Sequence, residues 1–91
     1  QQMNRAAISI PSNIAEGTSR RTAKNKMHFM NMAYGSLMEL ICQMEIALDL
    51  KYITPDNFKH FSGYCKNLSI KLSNYNEAIR KSKPVLKEKT I

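Results

Sequence analysis

Hydrophobic positions recur along most of the chain at alternating spacings of three and four, which is typical of helix faces packed against a core. The longest stretch of this kind covers 22–50 and predicts one helix with Thr22 as its N-cap. Its apolar face is broad, so the helix needs neighbours on more than one side. The main seam consists of Met30, Ala33, Leu37, Leu40, Met44 and Ala47.

A shorter helix is predicted over 1–16, where Met3, Ala7, Ile10 and Ile14 form the apolar face. Pro11 lies inside this helix. Because proline removes one backbone hydrogen bond and crowds the preceding turn, a kink is expected there rather than an end. Gly17 is the expected left-handed C-cap.

A third helix is predicted over 55–83. Thr54 followed by Pro55 is a typical start, with an N-cap hydroxyl and proline at the first helical position. Pro84 is expected to end the helix, which leaves 84–91 as a basic C-terminal tail. The apolar stripe is narrow, and both Tyr64 and Tyr75 are assigned to it together with Phe58, Phe61, Cys65, Leu68, Leu72 and Ile79.

The short link after Leu50 requires the second and third helices to pack antiparallel. The expected fold class is all-α, an up-down helical bundle in which residues 1–83 form one domain. The first helix covers only part of the apolar surface of the second. We therefore expect a helix upstream of Gln1 to complete a four-helix bundle, and other subunits to cover the remaining apolar surface.

Cys42 points away from the main seam and Cys65 joins the apolar stripe, so the two thiols are expected to be free and reduced. Free thiols favour a cytoplasmic location. The sequence contains no apolar run long enough to cross a membrane and no visible signal peptide, and no membrane partner is expected.

Fourteen Lys and Arg against seven Asp and Glu give a net charge of +7. This charge favours binding to a polyanionic partner over a role in solubility alone. An antiparallel hairpin brings the start of the second helix and the end of the third to one end of the bundle. Cations in the first turn of a helix oppose its macrodipole, which favours an anion bound there, whereas cations at a helix C-terminus need no ligand. The predicted nucleic-acid-binding residues are Arg20, Arg21, Lys24, Lys26, Arg80, Lys81 and Lys83.

Three segments carry a family resemblance: RAAISIPSNIAEG from Arg5 to Gly17 with Arg20 and Arg21 after it, GSLMEL from Gly35, and QMEIA from Gln43. They resemble the four-helix-bundle family of 23S ribosomal RNA intervening-sequence proteins. That family is similar to the accessory variability proteins of diversity-generating retroelements, which implies a basic homopentamer that binds nucleic acid. The resemblance also implies a structural or subunit network, rather than a catalytic site, at Arg5, Ser9, Ser12, Asn13, Glu16, Glu39 and Glu45.

Two functions follow from these patterns. The first is a small oligomeric protein that binds RNA or DNA through phosphate contacts. The alternative is a protein–protein interaction scaffold that uses the exposed apolar face of the central helix. Catalysis, metal and cofactor are not expected, because His28 and His60 belong near opposite ends of the hairpin and no nucleophile lies beside a base.

Overall fold

The computed structural model describes the backbone of residues 2–90 and the side chains of residues 5–81. It contains three helices, α1 (Gln2–Ser19), α2 (Ala23–Asp49) and α3 (Pro55–Thr90). Residues 2–90 include no strand, so the prediction of an all-α fold is confirmed.

The start of α2 follows from one hydroxyl group. Thr22 has extended backbone angles, and its Oγ1 accepts a hydrogen bond of 3.1 Å from the backbone N–H of Asn25. An N-cap oxygen satisfies one of the backbone donors that a helix leaves without a partner in its first turn. The predicted N-cap is therefore confirmed.

A Schellman motif ends α2 and reverses the chain. Lys51 has a φ of 64°, the backbone N–H of Tyr52 donates to the carbonyl of Ala47 at 2.8 Å, and that of Lys51 donates to Leu48 at 3.0 Å. Glycine is the usual residue at this left-handed position, because a side chain there is strained.

The start of α3 also agrees with the sequence pattern. Thr54 Oγ1 accepts from the N–H of Asn57 at 3.1 Å, and Pro55 is the first helical residue. The helix continues to Thr90, so it is longer than the expected range of 55–83 and does not end at Pro84. The separation of a bundle domain from a basic tail over 84–91 stays a prediction, since those side chains lie outside the described set.

The helix α1 passes through Pro11 without ending, as predicted, and continues to Ser19. The expected left-handed C-cap at Gly17 is wrong, because the structure has no glycine with a positive φ in the described part of the chain. Gly17 is helical and buried, and its role is to allow two helices to approach.

The close approach is between Gly17 and the first half of α2. A Cβ atom placed on Gly17 would lie 2.5 Å from Met30 Cε, 3.2 Å from Phe29 Cβ and 3.3 Å from the carbonyl oxygen of Lys26. Met30 is 1% exposed, so its methyl group has little space into which to move. The Met30 side chain therefore occupies the space that a side chain at position 17 would need.

The central helix is α2. Both α1 and α3 pack against it, and within the described chain they do not contact each other. The helices α1 and α2 run antiparallel, because Ser9 bonds to Ser36 while Thr18 bonds to Lys26. The helices α2 and α3 also run antiparallel, because a short link joins them and Asn31 bonds to Asn76. The buried core residues are Ala6, Ile10, Ala23, Met30, Ala33, Leu37, Leu40, Ala47, Cys65, Leu72 and Ile79.

The apolar stripe of α3 is narrower than the sequence predicts. Cys65, Leu72 and Ile79 are buried as expected, but Tyr64 is 77% exposed and Tyr75 is only partly covered. The assignment of Tyr64 to the packed stripe is therefore wrong. The reason is that only α2 packs against α3, so a residue at the edge of the stripe has no second helix to cover it.

Both cysteines are free thiols, with Cys42 exposed and Cys65 buried, as the helical pattern predicts. Burial raises the pKa of the Cys65 thiol, because the apolar surroundings disfavour the thiolate. The thiolate is the reactive form, so Cys65 is the less reactive of the two.

We predict that Gly17→Ala destabilises the protein although alanine is the better helix former. Steric displacement of Met30 is expected to cost about 1–3 kcal/mol and to exceed the gain in helix propensity of about 1 kcal/mol. The matched control is Gly63→Ala, because a Cβ at this helical glycine meets nothing within 4 Å. Urea denaturation measures both, and equal gains in stability would show that the Gly17 contact is not tight.

We predict that Lys51→Gly stabilises the protein by about 0.5–1 kcal/mol, because glycine adopts the left-handed conformation of the Schellman motif without steric strain. The matched control is Lys59→Gly within α3, which is expected to cost about 1 kcal/mol. Thermal unfolding monitored by circular dichroism compares the two variants. A loss of stability in Lys51→Gly would contradict the assigned turn conformation.

Candidate nucleic-acid interface

The antiparallel packing of α2 and α3 brings their basic segments to one end of the molecule. The side-chain amides of Asn31 and Asn76 are hydrogen-bonded at 2.8 Å, and one turn nearer that end Met27 and Arg80 line the same cavity. The C-terminus of α1 reaches this end too. We call the cations gathered there the basic end; its members with described side chains are Arg20, Arg21, Lys24, Lys26, Arg80 and Lys81.

Arg20 is held between two elements. Its Nη2 donates at 2.7 Å to Glu16 Oε1 of α1, and its guanidinium carbon lies 4.7 Å from the centroid of the Phe29 ring of α2. The stacking geometry is that of a cation–π contact, with His28 packed edge-on against the same ring at 5.3 Å. These contacts leave several guanidinium N–H groups available, because an arginine has five donors.

Two further cations contact neighbouring groups. Lys26 Nζ donates to the backbone carbonyl of Thr18 at 3.3 Å, which ties the end of α1 to the start of α2. Arg80 Nη2 donates to Glu77 Oε1 within α3. Both arginine pairs are solvent-exposed, with roughly half of each side chain accessible. Such pairs contribute about 0–1 kcal/mol, so they orient the guanidinium groups without binding them strongly.

The other three cations, Arg21, Lys24 and Lys81, make no salt bridge within the described side chains. All three are exposed. The basic end therefore combines six cations with two carboxylates, those of Glu16 and Glu77. The prediction for Lys83 lies outside the described side chains.

The opposite end of the hairpin carries acidic residues. Glu45 and Asp49 lie in the last turns of α2, and Asp56 lies in the first turn of α3. Asp56 is favourably placed against the helix macrodipole, whereas α2 has no acidic residue in its own first turn. Lys51 and Lys59 lie at the same end, so this end is close to neutral, whereas the basic end carries an excess of positive charge.

A second polar group lies halfway along the contact between α1 and α2. Ser9 Oγ and Ser36 Oγ share a hydrogen bond of 2.8 Å, and Asn13 Nδ2 donates to both the Ser9 carbonyl and Ser9 Oγ. Arg5 and Glu39 line the adjoining open cavity of about 330 Å³. The structure thus brings together Arg5, Ser9, Asn13 and Glu39 from the predicted network.

The remaining network residues do not join this group. Ser12 is exposed on α1, Glu16 pairs with Arg20 at the basic end, and Glu45 lies toward the opposite end of the hairpin. Ser36, from the GSLMEL segment that carries the family resemblance, joins this group through its hydrogen bond to Ser9. The roles of all these side chains in a subunit contact stay predictions.

The sequence pattern does not predict the cation–π contact of Arg20 with the Phe29 ring, or the hydrogen bond between the side-chain amides of Asn31 and Asn76. Each of these contacts joins two helices, and no spacing within one helix indicates it. The exposure of Tyr64 was missed for a related reason, since its helical position lies beside buried residues.

Among residues 5–81, no cluster of three or more His, Cys, Asp or Glu side chains is arranged to hold a metal ion. In the described part of α1, α2 and α3, no segment combines the length and hydropathy that a membrane crossing requires.

Comparison with known proteins gives one family. A search of curated proteins and a search of solved structures both find no match. A family profile described as "23S rRNA-intervening sequence protein" matches residues 1–74, which is most of the chain. The match includes α1, α2 and more than half of the described part of α3. The chain therefore belongs to the 23S rRNA-intervening sequence protein family.

Proposed function

We propose that this protein is a small basic homo-oligomer that binds nucleic acid through phosphate contacts, without catalysis. The observation that carries the proposal is the collection of six described cations at one end, from α2, α3 and the link between α1 and α2, against two carboxylates. Phosphate contacts of this kind supply most of the affinity in sequence-independent binding. The family description mentions an rRNA, so RNA is the first nucleic acid to test.

The arrangement of the basic end supports phosphate binding more than it supports simple solubility. The start of α2 has backbone N–H groups without helical partners, Lys24 and Arg21 beside them, and no acidic residue in its first turn. The stacked and paired guanidinium of Arg20 is held beside this helix start. A guanidinium already oriented by its neighbours loses less side-chain entropy when it binds a phosphate.

We also propose that α1, α2 and α3 are three members of an up-down four-helix bundle. The support is that α1 and α3 both pack on α2 but not on each other within the described chain. In a four-helix bundle the two neighbours of any helix are diagonal to one another, and the fourth helix lies between them. A further helix of the same protein or of another copy would complete this arrangement.

The outward face of α2 is the proposed contact between subunits. Met32, Ile46 and Leu50 are exposed there, with Ile46 at 57%, and a Cβ at Gly35 on the same face would meet nothing within 4 Å. Ile46 and Leu50 are one helical turn apart, and Met32 lies on the same side of α2, away from the core. The family resemblance favours a homopentamer.

A protein–protein interaction scaffold is the second candidate, because the same exposed apolar row on α2 would serve a different protein equally well. A cytoplasmic location, where an rRNA or another nucleic acid is accessible, belongs to the first proposal.

We predict that replacing the three cations without salt bridges, as Arg21→Gln, Lys24→Gln and Lys81→Gln, lowers the affinity for RNA and lowers the magnitude of the salt slope. The magnitude of the slope of log K against log [salt] is expected to fall by about 2–3, because each of the three lost phosphate contacts removes about 0.7–0.9. Fluorescence anisotropy over a series of salt concentrations measures both quantities.

The matched control removes the same charge elsewhere, as Lys51→Gln, Lys59→Gln and Lys66→Gln. Its salt slope is expected to stay close to that of the wild type. Equal effects of the two triple variants would mean that net charge alone is responsible, and binding by the wild type that ignores salt would overturn the proposal.

We predict that Ile46→Lys reduces the oligomer to smaller species, because a charge would be buried in the proposed apolar contact. Ile70→Lys is the control, since Ile70 is 49% exposed on α3, outside the proposed contact. Light scattering coupled to size exclusion compares the masses. A monomeric wild type would contradict the oligomer and favour the scaffold, as would one stoichiometric protein partner captured after nuclease treatment.

A further inference from the structure

A groove runs along the contact between α2 and α3 and ends at the basic end. It consists of two adjoining cavities of about 180 and 240 Å³, which share Ser73 and Asn76. Tyr34 and Asn31 line the first cavity, and Met27 and Arg80 line the second. We call it the α2–α3 groove. Its apolar lining consists of Met27, Met30 and Leu72, and the other lining residues, which include Glu77, carry polar groups. A flat heteroaromatic ring, with apolar faces and hydrogen-bonding edges, matches such a mixed lining.

One side chain of the α2–α3 groove, that of Asn76, has a polar atom without a hydrogen-bond partner. Asn76 Nδ2 donates to Asn31 Oδ1 at 2.8 Å, but Asn76 Oδ1 is buried and has no hydrogen-bond partner. A buried carbonyl oxygen without a donor is unfavourable. Met27, Met30 and Leu72 in the groove have no side-chain donor, and the donors of Ser73 and Arg80 make no hydrogen bond to this oxygen. A ligand with an N–H group would supply the missing hydrogen bond.

The residues at the two ends of the groove indicate which other chemical groups the ligand has. Tyr34 is 39% exposed at the end farther from the basic end, so part of its ring is available for stacking. Arg80 lies at the other end beside Glu77, with which it is paired, and its guanidinium retains further donors for a phosphate. A flat ring with N–H donors, joined to a phosphate, matches this order of groups.

We propose that the α2–α3 groove binds one unpaired base of the nucleic acid whose phosphates contact the basic end. The inference rests on the proposed function and adds a preference to it. A base in a duplex uses its Watson–Crick donors in pairing and both its faces in stacking, so it offers the groove neither. Asn76 Oδ1 accepts the hydrogen bond, the Tyr34 ring stacks, and Arg80 contacts the phosphate. The protein consequently prefers bulged or looped nucleic acid over a continuous duplex.

The test uses two fluorescein-labelled RNA hairpins that differ only in one unpaired nucleotide bulged from the stem. Their dissociation constants for the full-length chain are measured by anisotropy at one salt concentration. The wild type is expected to bind the bulged hairpin about tenfold more tightly, the scale of one stacked base. Asn76→Ala is expected to abolish this preference while leaving the affinity for the continuous hairpin within about twofold, because phosphate contacts are unchanged.

Two other variants complete the experiment. Ser73→Leu fills the groove from an exposed position and is also expected to abolish the preference, which tests the site independently if Asn76→Ala fails to fold. Asn67→Ala removes an exposed asparagine elsewhere on α3 and is expected to retain it.

The outcomes separate this inference from the proposed function. Equal binding of the two hairpins by the wild type, or a preference that survives both Asn76→Ala and Ser73→Leu, overturns the groove as a base site and leaves phosphate binding in place. Failure to bind either hairpin overturns the proposed function and the groove inference with it.

Discussion

The whole structure depends on burying the apolar face of α2 against two helices at once. Met30, Ala33 and Leu37 are at most 1% exposed, and they belong to one core cluster with residues from both α1 and α3. Neither outer helix contacts the other within the described chain, so each is held in place by α2. Complete burial of a side chain such as Met30 or Leu37 contributes roughly 1.5–3 kcal/mol, which makes this face the main source of stability. The positions of all other groups, including the cations, follow from it.

Helix positions were predictable from the sequence because their determinants are local. The Thr22 and Thr54 caps and the seam through Leu37 each depend on residues within a few positions of one another. The errors arose where tertiary contacts decide. Gly17 follows the pattern of a helix end, yet it is buried inside a helix because Met30 of the next helix occupies its side-chain space. Tyr64 fits the apolar stripe of α3, yet it is exposed because no second helix covers that edge.

The candidate site likewise has some features that the sequence predicts and others that depend on tertiary contacts. Antiparallel packing was deducible from a short link, and it brings the basic segments of α2 and α3 to one end, as charge placement along the sequence predicted. The interactions of the individual cations were not deducible. Arg20 pairs with Glu16 at a spacing that helical geometry suggests, but its stacking on Phe29 depends on the angle between two helices. The amide pair of Asn31 and Asn76 joins residues far apart in sequence, and each alone has the pattern of an ordinary surface position.

The contact at Gly17 has a consequence for how such a protein can change over evolution. The turn of α2 that receives Gly17 contains Lys26 and Phe29, and these residues also hold the C-terminus of α1 and the guanidinium of Arg20. One helical turn thus sets both the fit between two helices and the orientation of charge at the molecular surface. A substitution that increases the distance between α1 and α2 would move the Arg20 guanidinium away from the Phe29 ring even if the protein stayed folded. Selection for surface potential would then preserve a glycine that carries no charge of its own.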